Sequence, residues 1–205
     1  ALRPRPQHSF RGRTYAAAVS PDSMPLMAEL GVGLLVIVQK PWEKVQEDFV
    51  AYRETWAEVN EGEPPAPICS GFLFVDEDAA RAEELAHQHI GDYYRSVLRH
   101  YAFDEAPHEG VNGYEFYASI ARYIGRHGAD GAVEDFVDLM PWGTPEQVLE
   151  KLAYIRETIG MAGFTPSLCY GGMPYEEAER NIACFVDRVM PTLKEWETEP
   201  IGLTA

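Results

Sequence analysis

Residues 16–38 read AAAVSPDSMPLMAELGVGLLVIV. Two β-prone runs, residues 13–19 (RTYAAAV) and 34–38 (LLVIV), flank a turn signal and a short helical one. The first run stops at Ser20-Pro21-Asp22-Ser23. Ser20 is a good N-cap, and Pro21 suits the first helical position, where its missing N–H costs nothing. The helix that follows carries Met24, Met27, Ala28 and Leu30 and ends near Gly31. The second run is apolar at every position, which predicts a strand buried on both faces. Strand, helix and strand together make one βαβ unit.

The same alternation continues toward the C-terminus. A helix is expected over 43–60, with Val45, Phe49, Tyr52, Trp56 and Val59 at three- and four-residue spacing. Residues 69–75 (CSGFLFV) predict a third strand. A long helix to about Tyr101 then turns Ala79, Leu85, Ala86, Ile90, Tyr93, Val97 and Leu98 inward. At 143–147, Gly-Thr-Pro-Glu-Gln makes Thr144 an N-cap, puts Pro145 at the first helical position and lets Gln147 complete a capping box. That helix runs through Val148, Leu152, Ile155 and Ile159 and breaks at 160–163. Residues 167–170 (SLCY) predict a fourth strand, ending in Gly171-Gly172. Pro174 opens a final helix with Ile182, Phe185 and Val189 inside, and Pro191 kinks or ends it. Repeated strand–helix units predict a parallel sheet with helices outside, either a small open sheet or half of an eight-stranded barrel.

Residues 102–143 break the pattern. They hold Gly, His and aromatic residues with weak periodicity, and so long a connection predicts an insertion that is either a functional lid or disordered. Its candidate residues are His108, Tyr114, Phe116, Tyr117, Arg122, Arg126 and His127.

Bulk properties narrow the function classes. The 205 residues fit a single domain, and 46% hydrophobic against 24% charged residues is ordinary for a globular protein. A formal net charge of −16 disfavours a nucleic-acid or anionic-membrane partner. No apolar run approaches a membrane span. Cys69, Cys169 and Cys184 are too few and too far apart for a disulfide framework or a CxxC metal motif. Cys69 and Cys169 lie in apolar runs and are expected to be buried free thiols, as in a reducing cytoplasm. His87 and His89 are two apart on a helix, so they face different ways and no metal site is expected. The opening ALRPRPQHSFRGR lacks the apolar core of a secretory signal and reads as a linker entering mid-fold.

Residues 16–38 resemble the strand, Ser-Pro turn, helix, Gly and apolar strand at the fifth strand of the bacterial luciferase-like flavin-dependent monooxygenases. Residues 142–164 (WGTPEQVLEKLAYIRETIGMAGF), with the later FVDRVMPTLKEW, resemble that family's closing segment. The resemblance implies a (β/α)8 TIM-barrel fold. This chain would supply about the last four strand–helix units as a single-domain fragment, residues 1–205, with the lid-like insertion at 102–143. The family's usual catalytic histidine region has no counterpart here, so no catalytic residue is assigned.

By the resemblance, Ser20 meets the flavin phosphate, with Ser23 as a second candidate and Val19 beside them. The physical basis is that free N–H groups at a helix N-terminus bind anions. A plain N-cap is the competing role for Ser20, and Asp22 must face solvent if a phosphate dianion binds beside it. Val38 and Gln39 end a strand on the face where barrel active sites lie, against the isoalloxazine ring. A surface glutamine is the other reading of Gln39. Gly171 and Gly172 either admit a ligand close to the backbone or form a tight turn. Thr144 reads as a cap.

The implied activity is oxygenation of a small organic substrate by reduced FMN and dioxygen through a peroxyflavin. A separate flavin reductase or NAD(P)H would supply the electrons. Lid closure would keep the site dry. A deazaflavin-dependent oxidoreductase of the same fold is the nearest alternative, and a catalytically inert half-barrel is another. The expected macromolecular partners are the missing N-terminal half of the barrel and further copies in a homo-oligomer.

Overall fold

The computed structural model describes residues 3, 5, 7–10, 12–18, 20, 22–101 and 115–196, without the side chain of Phe116. The strand β1 (Tyr15–Ala17) leads to helix α1 (Ser23–Glu29), and β2 (Gly33–Ile37) to α2 (Trp42–Val59). Then come β3 (Ile68–Phe72), β4 (Phe74–Val75), α3 (Ala79–Tyr101), α4 (Glu115–Leu139) and β5 (Trp142–Gly143). The helix α5 (Pro145–Ile159), β6 (Gly163–Ser167), α6 (Tyr175–Cys184), a π turn (Phe185–Val189) and α7 (Met190–Glu195) complete the order. The strands form a four-stranded parallel sheet in the order β1-β2-β3-β6 and a two-stranded parallel pair, β4-β5. Among the described residues the larger sheet does not close on itself, so β1 and β6 are its edges.

The first unit differs from expectation at its turn. The helix α1 starts at Ser23 with Asp22 as its N-cap, and no side chain caps it. Ser20 instead closes the preceding turn, its carbonyl accepting the Ser23 N–H at 3.0 Å. Pro25 explains the shift. A helix beginning at Pro21 would place Pro25 beyond the first turn, where it removes an intrahelical hydrogen bond and clashes with the preceding turn. Starting at Ser23 keeps it within the first turn. The expected strand over 13–19 shortens to Tyr15–Ala17, and Val19 and Pro21 lie outside the described residues.

The strand β2 is covered on one face only. Leu34, Val36 and Val38 are 1%, 3% and 1% exposed, whereas Ile37 between them is 45% exposed. The covered side shares one core with Met24 of α1 and with Val45, Phe49 and Tyr52 of α2. An all-apolar run masks this alternation, because the open side is apolar too. In a closed barrel, the side facing away from the helices fills the interior.

The third strand is interrupted. Leu73 separates β3, paired with β6, from β4, paired with β5. Its N–H donates to the Ser167 carbonyl at 3.0 Å. Its own carbonyl accepts from Asn181 Nδ2 at 3.0 Å and from the Tyr170 hydroxyl at 3.2 Å. Side chains thus satisfy the backbone where the strand changes partner.

Three other expectations move. Residues 115–139 of the supposed lid are helical, with one break at Gly128 (φ 79°), and α4 packs on α3 through Ile124, Ala132, Tyr94 and Leu98. Glycines and histidines had hidden the helical period; His108 and Tyr114 lie outside the described residues. The fourth strand lies earlier, at Gly163–Ser167, where it pairs with β3 from Ile68 to Phe72. Pro166 is tolerated there because β6 is an edge. Cys169, past the end of that strand, is exposed rather than buried, while Cys69 is buried as expected.

Through α6 and the π turn the buried stripe is Ala178, Asn181, Phe185 and Val189, and Ile182 is 41% exposed. Val59 and Ala79 also lie outside the core. The capping box of α5 forms as expected. Pro191 is the second residue of α7, which follows the π turn directly, so it sits where its missing N–H is tolerated.

Candidate functional site

The C-terminal ends of β1 and β2 lie side by side. The Ala18 N–H donates to the Leu35 carbonyl at 3.4 Å, which carries the pairing past β1. The chain then passes through Ser20 to α1, while β2 runs on to Val38, Gln39 and Lys40. A small hollow, with room for about one water, lies beside them and is lined by the core residues Met24, Val36 and Val45 as well as by Ala18, Ile37, Gln39, Lys40 and Asp48.

The two serines meet in the turn between β1 and α1. Ser20 Oγ and Ser23 Oγ lie 2.7 Å apart, hydrogen-bonded to each other, and both residues are half-buried. Asp22 between them in sequence is exposed, as a phosphate at the serines requires. The helix α1 is seven residues long, so its dipole adds little. The hydroxyl pair is therefore the stronger feature. Two adjacent hydroxyls can each turn a proton toward one anionic group, and this donor set fits a phosphate.

The other candidates fall on both sides of the strand. Val38 is 1% exposed and belongs to the helix-covered core, whereas Gln39 is exposed and borders the hollow. Periodicity did not point to Lys40 or Asp48, which are ion-paired across the hollow with side chains 24% and 12% exposed. Asp48 lies one helical turn after the core residue Val45, and that spacing was the available signal.

Gly171 is shaped by the protein itself. It has φ 60°, and a Cβ there would lie 2.4 Å from the His89 carbonyl oxygen of α3. The close approach is to backbone, not to a ligand. Gly172 has φ 75° and open space around it. Thr144 is spent on its capping box: its N–H donates to Gln147 Oε1 at 2.8 Å, and its hydroxyl accepts the Gln147 N–H at 3.4 Å.

The two helix histidines diverge. His87 faces Glu134 at 3.4 Å, while His89 is 4% exposed. Burial lowers the His89 pKa below its ordinary value. Among the described residues, no group of three or more His, Cys, Asp or Glu could hold a metal. Of the lid candidates, Tyr117 stacks on Tyr101 at 6.0 Å and His127 on Tyr123 at 4.3 Å; both contacts belong to the α3–α4 hairpin or to α4 itself. Arg122 and Arg126 are also on α4.

An aromatic cluster closes the end of β3. Phe72 lies 4.1 Å from Tyr93 and 4.7 Å from Tyr170, ring centre to ring centre. Burial pushes the Tyr170 hydroxyl far above its ordinary pKa, and it is committed to the Leu73 carbonyl. Beyond β4, Arg81 pairs with Asp76 and Glu177, tying the start of α3 to α6.

Residues 1–162 match the family model described as luciferase-like monooxygenase. No curated protein matches the chain in sequence. Among solved structures it is similar to the monooxygenase RslO1 from Streptomyces bottropensis, at 22% identity and a TM-score of 0.58, over 94% of this chain and 50% of that one. It is also similar to the oxygenating constituent of 3,6-diketocamphane monooxygenase from Pseudomonas putida, solved in complex with FMN. Identity there is 18% and the TM-score 0.57, over 86% of this chain and 48% of that one. A third similar structure is the coenzyme F420 dependent tetrahydromethanopterin reductase from Methanopyrus kandleri, at 17% identity and a TM-score of 0.52, over 87% and 50% of the two chains. The chain spans about half the length of these structures. No helix among the described residues is long and apolar enough to cross a membrane.

Proposed function

The chain belongs to the luciferase-like monooxygenase family, and on that premise we propose that it carries the C-terminal half of a flavin site in an FMN-dependent monooxygenase acting on a small organic substrate. The observation that carries this reading is the Ser20–Ser23 hydroxyl pair just past the C-terminal end of β1, with Gln39 past the end of the neighbouring parallel strand β2. Strand ends of this kind are where barrel enzymes place their ligands.

The two serines would hold the phosphate. Val38 and Gln39 would lie toward the ring, Gln39 with its side chain and Val38, buried as it is, through its backbone. Val19, outside the described residues, stands next to Ser20 in sequence. Bound there, reduced flavin supplies the electrons that activate dioxygen. A flavin reductase or NAD(P)H would reduce it. The protein's part is to orient the cofactor and exclude water, and the aromatic cluster at Phe72, Tyr93 and Tyr170 walls the end of β3 with apolar surface.

The open side of the sheet supports a second component. Ile37 is 45% exposed on the side that a closed barrel would bury, and both sheet edges are unpaired among the described residues. Four further strand–helix units, as in the longer solved structures, would cover that side. Association of copies would cover it in their absence. A cytoplasmic location accords with the free cysteines.

The test is flavin binding and reaction by the purified chain. Uptake of FMN, with consumption of dioxygen when a reductase supplies electrons, supports the reading. Anaerobic hydride transfer from a reduced deazaflavin would replace it with the oxidoreductase alternative. A flavin-free chain that only self-associates would identify an inert half-barrel.

A further inference from the structure

The two edges of the larger sheet match each other. Its four strands all run parallel in the order β1-β2-β3-β6, so β6 of one copy can take β1 of another in the same direction. Proteins commonly guard a sheet edge with charged side chains or proline. Here Pro166 takes one donor from β6, and no residue of the four strands is charged.

The face away from the helices is uncharged as well. Register sets Ala17 beside Leu35, Leu35 beside Ile68, Ile37 beside Ser70 and Ser70 beside Thr165. These residues alternate with the buried Ala18, Leu34, Val36 and Cys69, and each is half-buried or exposed. Two copies of a chain with a formal net charge of −16 repel at long range, but joining these faces buries no charge.

We infer that a second copy of this chain covers the open face, with β6 of each copy pairing with β1 of the other to close an eight-stranded parallel barrel about a twofold axis. A head-to-tail edge contact either closes into a ring or grows into a filament. Four strands per copy favour the ring, because an eight-stranded barrel is just wide enough for its side chains to fill. Closure removes both edges at once and turns Leu35, Ile37 and Ile68 into barrel core. Two copies also match the length of the similar solved structures, of which one copy spans about half. The inference rests on the half-barrel reading above and deepens it. The turn after β1, with Ser20 and Ser23, would lie at the seam, so each proposed flavin site is completed by the other copy.

Sedimentation equilibrium of the purified chain and its variants tests this. The unsubstituted chain shows a monomer–dimer equilibrium with no larger species, and added salt tightens it by screening the like charges. Dilution separates the copies, so unfolding of dilute chain reports a single copy. Ile37→Glu, which would bury a charge in the barrel interior, weakens the dimer about tenfold or more while the monomer keeps its circular dichroism. Val50→Glu is the matched control, because Val50 is 49% exposed on α2, on the outer side, and it leaves the dimer intact. Should Ile37→Glu fail to fold, Thr165→Glu, at an exposed position of β6, takes its place with the same expectation. A chain that stays monomeric at all concentrations overturns the inference, as does one that grows into larger species. A dimer that Ile37→Glu leaves unchanged, or that Val50→Glu weakens equally, also overturns it, because the contact would then lie elsewhere or depend on net charge alone. A dimer with the expected variant pattern that takes up no FMN keeps this inference and sinks the flavin reading.

Discussion

The hydroxyls of Ser20 and Ser23 are hydrogen-bonded to each other at 2.7 Å, one in the turn leaving β1 and the other on the first residue of α1. Two groups on one ligand act as a unit. Ser20→Ala and Ser23→Ala should each weaken FMN binding, and the double variant should lose less than the sum of the two. Titration of the three variants with FMN measures this. Full additivity would mean that the serines do not share a ligand.

The two faces of β2 should respond differently to truncation. Val36→Ala opens a cavity in a core where Val36 is 3% exposed, and should cost about 2 kcal/mol. Ile37→Ala, at a site 45% exposed, should cost under about 1 kcal/mol. Urea unfolding of both variants checks the difference, and a larger loss at Ile37 would show that the open side is covered in the isolated chain.

Much of this fold could be read before the structure. The helices α2, α3 and α5 follow from apolar spacing, and the α5 capping box from Thr144 and Gln147 alone. What escaped was decided by contacts distant in sequence. Burial of one face of β2 is invisible in LLVIV, where both faces are apolar. The partner change at Leu73 depends on Asn181, more than a hundred residues away. The strand–turn–helix order that sets Ser20 and Ser23 side by side was legible in the sequence. The Lys40–Asp48 ion pair was not, because it joins a strand end to the next element.

Asn181 holds the junction of β3, β4 and β6. Its side chain accepts the Val75 N–H at 2.9 Å and donates to the Leu73 and Leu168 carbonyls at 3.0 Å each, at 1% exposure. Asn181→Leu takes this partner from the Val75 N–H and the Leu168 carbonyl and leaves the Leu73 carbonyl to the Tyr170 hydroxyl, and should cost about 3 kcal/mol. Thermal unfolding measures it, and a change within about 0.5 kcal/mol would show that water replaces the amide.

Gly171 should reject any side chain. Gly171→Ala places its Cβ 2.4 Å from the His89 carbonyl in a left-handed backbone, and should cost about 2 kcal/mol or more. Gly172→Ala, with open space around it, should cost less. Chemical denaturation of the pair checks the order.

The buried His89 predicts a pH dependence. Its folded pKa is lowered, first by burial, from an ordinary value of 6.5. The unfolded chain therefore binds the proton more readily, and stability falls as pH drops below 6.5 toward the folded value. Replacing His89 by Gln should flatten the stability profile between about pH 7 and the start of carboxylate titration near pH 5. An unchanged slope would assign that region to other groups.

The account turns on where the phosphate binds. The phosphorus-31 resonance of FMN, titrated with the unsubstituted chain and with Ser20→Ala, tests this most directly. The account predicts a saturable shift with the unsubstituted chain that is lost or strongly weakened in Ser20→Ala, while the variant's unfolding curve is unchanged. An equal shift at equal affinity in Ser20→Ala would contradict it.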